Sequence, residues 1–114
     1  MSVDFDSPLL DAARSRVLIG DGAMGTMLQA VDLDVDEDFL GLEGCNEILN
    51  ATRPDVVENI HRAFFEAGAD LVETNTFGCN LSNLGDYDIV DRIGELSEKG
   101  AAIARKVADE MGPS

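Results

Sequence analysis

The 114-residue sequence predicts a parallel α/β fold with a ligand site at the C-terminal ends of its strands, and three observations lead there. The apolar run Val17-Leu18-Ile19 stops at Gly20-Asp21-Gly22-Ala23-Met24-Gly25-Thr26, where a carboxylate stands between glycines. A second run, Leu71-Val72, stops at Glu73-Thr74-Asn75-Thr76-Phe77-Gly78. Between them a helical period ends one glycine before the second strand, the short connection of a helix returning to a parallel strand. Short apolar runs that trail into polar groups read as buried parallel strands, and such folds place their sites at the strand C-termini.

In chain order, Ser7 is an N-cap and Pro8 a first helical residue for a short amphipathic helix reaching about Arg14. Strand one covers residues 16–20. The glycines after it allow a sharp turn, whose successive N–H groups suit an anion while Asp21 suits a cation. One loop can therefore grip both ends of an amino acid. Residues 26–30 continue as a short helix.

Residues 54–67 form the clearest helix, because Val56, Val57, Ile60, Ala63, Phe64 and Ala67 share a face and Gly68 stands at the stop. Burying each large member contributes roughly 1.5 to 3 kcal/mol. The exposed Glu58–Arg62 pair at i, i+4 contributes only roughly a few tenths, so packing against the sheet sets the orientation. Strand two covers residues 69–74. Residues 91–111 then form a longer helix with Ile93, Leu96, Gly100, Ile103, Val107 and Met111 on one stripe, stopped by Gly112-Pro113. No internal repeat or low-complexity linker divides the chain, and residues 1–114 read as one structural unit.

The stretches RVLIGDGAMGT, LEGCNEILNATRPDVVENIH and FFEAGADLVETNTFG carry a resemblance. From about Arg16 to about Glu110 the sequence resembles the amino-terminal end of the homocysteine S-methyltransferase domain in the cobalamin-dependent methionine synthase family. The resemblance implies a (β/α)8 TIM barrel. Such a barrel needs roughly 250 residues, so this chain is expected to supply only its first βα units. It also implies that Asp21 holds the ammonium of homocysteine and that the amides of Gly22, Ala23 and Met24 hold the carboxylate. Thr74, Asn75 and Thr76 are implied to line the pocket near the reacting thiol.

In that family zinc makes the thiol a thiolate, and methylcobalamin, recharged from methyltetrahydrofolate on separate modules, donates the methyl group. The resemblance implies that the three zinc-binding cysteines lie later in the barrel than these residues. The expectation for these residues alone is a homocysteine-binding fragment that is inactive and binds neither zinc nor cobalamin. Its implied partners are homocysteine, the remainder of the barrel, and the folate and cobalamin modules. Unpaired strand edges would make it self-associate.

Composition narrows the classes further. With 23 acidic and 8 basic residues the formal charge is −15, which argues against nucleic acid or an anionic membrane as partner. No apolar stretch approaches the ~20 residues of a membrane span, and residues 1–6 lack the basic and apolar regions of a secretion signal. Two cysteines without a framework fit a reducing cytoplasm. Cys45 and Cys79 are neither C-x-x-C spaced nor next to a histidine and read as packing residues. His61, the single histidine, has no ligand-spaced partner and reads as a helix-surface or packing residue.

Asp32, Asp34 and Asp36, with Glu43 at the twelfth position, imitate a calcium loop, yet Glu37 occupies the position that requires glycine. A solvated acidic loop is expected. Residues 20–25 also satisfy G-x-G-x-x-G, but Asp21 would face a pyrophosphate with like charge and the next strand begins too late for a ~30-residue βαβ unit. A dinucleotide-binding module and a non-catalytic chain that completes a split barrel are the alternatives to the homocysteine reading.

Overall fold

The computed structural model describes residues 7–111. Their regular structure is helical: α1 Pro8–Ser15, α2 Met24–Gln29, α3 Leu49–Thr52, α4 Pro54–Glu66, α5 Leu81–Asp86 and α6 Ile93–Met111. Short 3₁₀ turns at Asn46–Ile48 and Val90–Arg92 lead into α3 and α6. In α1 the Ser7 hydroxyl accepts the Leu10 N–H at 3.1 Å, the N-cap read from sequence. Helix α2 starts at Met24, two residues before the expected position. Helix α4 ends where Gly68 adopts φ +111°, a left-handed conformation suited to glycine. The Gly112-Pro113 stop expected after α6 lies outside the described residues.

No β-strand forms among the described residues, which corrects the strands expected at 16–20 and 69–74 and leaves only the helical half of the α/β expectation. The two segments do meet in parallel register. The Asp70 and Leu71 N–H groups donate to the Ile19 carbonyl at 2.7 and 3.3 Å. The other links run through side chains: Ile19 N–H donates to Asp70 Oδ2 at 2.9 Å, and Glu73 N–H to both Asp21 oxygens at 3.2 Å. A ladder requires evenly spaced backbone pairs, and here carboxylates take donors that a neighbouring strand would otherwise share. The Ile19 hydrogen bond, with the Arg16 guanidinium at 3.0 Å, holds the Asp70 carboxyl below its usual range. Val17 is 85% exposed and Ile19 59%, so the apolar burial that stabilises parallel strands is missing.

Helix α4 packs along α6, and α3 touches both. Leu28, Leu49, Val56, Val57, Ile60 and Ile103 form one buried cluster, and Cys45, Ile48, Leu84 and Leu96 a second. The apolar stripe expected on α4 is narrower than read, since Ala63 and Ala67 are exposed. Glu58 and Arg62 do not pair within α4. They bridge instead to α6, Lys106 Nζ reaching Glu58 at 2.9 Å and Arg62 reaching Glu110 at 2.7 Å. Helix α1 buries none of its residues.

A buried polar knot ties these helices to the segment after residue 74. Asn50 Nδ2 donates to the carbonyls of Asn75 at 2.8 Å and Leu96 at 3.1 Å. Asn75 Nδ2 donates to Asn50 Oδ1 and to the Asn46 carbonyl, each at 3.0 Å. Helix α6 comes so close at Gly100 that a Cβ would lie 2.7 Å from Thr76 Cγ2 and 2.8 Å from Asn50 Nδ2.

Candidate functional site

The polar residues at the ends of the two extended segments meet at one cleft of about 320 Å³. Asp21, Gly22, Ala23 and Met24 line one side, Thr74 and Asn75 the other. Thr76, the seventh residue singled out from sequence, is not among the lining residues. Its hydroxyl pairs with that of Thr74 at 2.6 Å, and Thr76 Cγ2 is the atom nearest to a Cβ at Gly100. The Asn75 side-chain amide is turned to Asn46 and Asn50, where it holds the segment in place.

Asp21 is half-buried and accepts one backbone donor, the Glu73 N–H, on both oxygens. A carboxylate offers about four acceptor positions, so Asp21 retains capacity for a cationic group. Beside it, the N–H groups of Gly22, Ala23 and Met24 donate to no acceptor among the described residues, α2 beginning only at Met24. A carboxylate acceptor and free amides side by side can take the two charged groups of an amino acid. A pyrophosphate would face Asp21, and the six residues of α2 make a short helix for a dinucleotide loop.

Gly25, Asn46, Glu47, Glu73 and Phe77 also line the cleft. Asn46, Glu47 and Asn50 were not singled out from sequence. A signal for two of them was there: Asn46 and Asn50 stand four apart on either side of Glu47-Ile48-Leu49, which places both on one helical face.

Among the described residues no group of three His, Cys, Asp or Glu side chains is arranged to hold a metal ion. Cys45 is buried in the second cluster and Cys79 packs against that cluster; burial pushes both thiols up from their usual pKa. Two carboxylates of the acidic segment cap its own backbone, Asp34 Oδ1 accepting from Asp36 and Glu37 N–H at 2.8 Å and Asp38 Oδ2 from Asp34 N–H at 2.8 Å, while Asp38 Oδ1 also accepts from Arg53 at 3.2 Å. His61 is fully buried, which settles its role as packing over surface. No helix of the described residues is long and apolar enough to cross a membrane.

The family model for homocysteine S-methyltransferase matches residues 18–113. The chain is 74% identical over 108 residues to the methionine synthase of Mycobacterium tuberculosis (strain ATCC 25618 / H37Rv), a match covering 95% of this chain and 9% of that protein. It is 69% identical over 107 residues to the methionine synthase of Mycobacterium leprae (strain TN), covering 94% of this chain and 9% of that protein. The chain thus spans about 9% of the length of these relatives.

Proposed function

The chain belongs to the homocysteine S-methyltransferase family, and from that premise we propose that its cleft holds the amino-acid end of homocysteine as the amino-terminal part of a methionine synthase. Asp21 takes the ammonium, the amides of Gly22, Ala23 and Met24 take the carboxylate, and Thr74, Asn75 and Thr76 border the path of the side chain toward its thiol. Supporting this is one juxtaposition: a carboxylate with spare acceptor capacity beside three unpaired amides, in one cleft with the second polar segment. Charge-assisted hydrogen bonds of both signs then fix the substrate's orientation.

The reaction of the whole protein is methyl transfer from methylcobalamin to the zinc-bound thiolate of homocysteine, giving methionine, in the cytoplasm. Bound zinc supplies a thiolate at neutral pH. Among the described residues no group of three His, Cys, Asp or Glu side chains fits a zinc ion, and no step of the transfer is assigned to this chain; in this reading the zinc ligands come from other parts of a barrel. Cobalamin and folate belong to further modules of the parent. Because reaction requires the substrate to be held at both ends, the 114 residues alone are inactive.

The test is Asp21→Ala in a full-length methionine synthase carrying this segment. Loss of a charge-assisted contact of roughly 1.5 to 3 kcal/mol weakens homocysteine about 10- to 150-fold in calorimetric titration. N-acetylhomocysteine, which has no ammonium, should bind both proteins alike. Equal homocysteine affinity would remove Asp21 from the site.

A further inference from the structure

Glu47 is a carboxylate that the substrate-binding reading leaves without a task. It lies in the Asn46–Ile48 turn, lines the cleft and is 7% exposed. A carboxylate this buried is costly unless donors surround it. Its two hydrogen bonds both come from uncharged donors, one in the loop before α5 and one on α5: Gly78 N–H to Oε2 at 3.2 Å and Asn83 Nδ2 to Oε1 at 3.3 Å.

The same Asn83 amide donates to the Gly78 carbonyl at 3.0 Å, so both backbone groups of Gly78 end on the Glu47–Asn83 pair. The approach is one that only glycine permits, because a Cβ at Gly78 would collide with Asn83 Nδ2 and stand 2.7 Å from Glu47 Oε1. Three residues earlier, Asn75 donates to the carbonyl of Asn46, the neighbour of Glu47. One turn therefore grips the polar segment at both ends, at 75 and at 78. Asn83 is itself anchored, its N–H donating to the α5 N-cap Asn80 at 2.8 Å.

We propose that Glu47 is a positioning residue for the homocysteine cleft: by clamping Gly78 through its N–H it holds Thr74 and Asn75 opposite Asp21, and substrate affinity depends on it without contact. This rests on the homocysteine reading of the cleft. The clamp works as geometry rather than as charge on the substrate, so an acceptor oxygen at this position should preserve part of it.

The experiment uses the full-length protein carrying this segment and two readouts on each variant: the Michaelis parameters for homocysteine, and hydrogen exchange of the 74–79 amides without substrate. Glu47→Ala is expected to raise KM about tenfold, a larger change than in kcat, and to speed exchange at 74–79 while α4 and α6 stay protected. Glu47→Gln, which keeps an acceptor for Gly78 N–H, should recover much of the KM. Asn83→Ala, which removes one arm of the clamp, should show the same pattern at about threefold and decides the matter if Glu47→Ala does not fold. Unchanged KM with an unchanged 74–79 segment, in Glu47→Ala or in Asn83→Ala, overturns the clamp, as does a Gln variant no better than Ala. If the unmodified protein shows no dependence on homocysteine, the substrate reading falls, and exchange at 74–79 alone judges the clamp.

Discussion

His61 is the only histidine of the chain, fully buried on α4, and neither ring nitrogen has a hydrogen-bond partner among the described residues. Burial pushes its pKa down, and the Asp21 charge offsets this only in part. The unfolded chain takes up a proton near the ordinary value of about 6.5, whereas the folded chain resists it. The stability that neutral His61 allows is therefore complete above about pH 6.5 and is lost as pH falls from there toward the depressed folded value. Urea unfolding of the dilute chain between pH 7 and 5.5 should show this loss, with a slope of at most about 1.4 kcal/mol per pH unit. Carboxylates contribute little in that window, so His61→Phe should flatten it, and an equal slope in both proteins would assign the proton elsewhere. The sequence alone left His61 between surface and core, because its neighbours Ile60 and Arg62 face opposite ways on the helix. The place of Asp21 in a cleft-lining loop was legible because its glycine flanks are local in sequence.

At the scale of elements, α4 and α6 were readable from their apolar period, within one or two residues at each end. The short α3 and α5 were not, since four and six residues carry too little period to detect. The close approach of α6 to the 74–76 segment was likewise invisible, although Gly100 stood in the predicted stripe. Gly100→Ala should gain about 1 kcal/mol in helix propensity and lose more, about 1 to 3 kcal/mol, by overpacking against Thr76 and Asn50. The expected net effect is destabilisation, with the 74–76 amides exchanging faster than those of α4 in the same sample. A more stable Ala variant would show that α6 can shift outward without disturbing the Asn50–Asn75 knot.

For the whole molecule, the accessible surface is 7344 Å², against about 6,100 Å² expected of a compact monomer of this mass. Large apolar side chains stand exposed on the extended segments and just after them: Val17 is 85% exposed, Ile19 59%, Phe77 99% and Leu81 69%. Unpaired extended edges beside such side chains template association. Purified alone, the chain should elute larger than a monomer in a concentration-dependent way, with residues 16–20 poorly protected from exchange. Val17→Lys with Ile19→Lys should reduce the association by placing charge on the exposed edge. A compact monomer with a strongly protected 16–20 segment would mean that these residues close a core of their own.

The chain's own sequence determined the elements whose information is local or periodic: the Asp21 loop, the polar segment at 74–76, the Ser7 cap, and the faces of α4 and α6. Tertiary structure decided whatever depends on partners far along the chain. Asn50 and Asn75 stand 25 residues apart, Glu47 and Gly78 31, and no period or spacing announces that their polar atoms meet in a buried knot. The missing strands follow the same division. Apolar runs specify where a strand would form, but a strand exists only when neighbouring backbones accept its hydrogen bonds and other layers bury its faces. Around residues 16–20 and 69–74 the backbones share only the Ile19 carbonyl, and the other partners are two carboxylates and solvent, so the ends of the runs meet at the cleft while the sheet between them does not form.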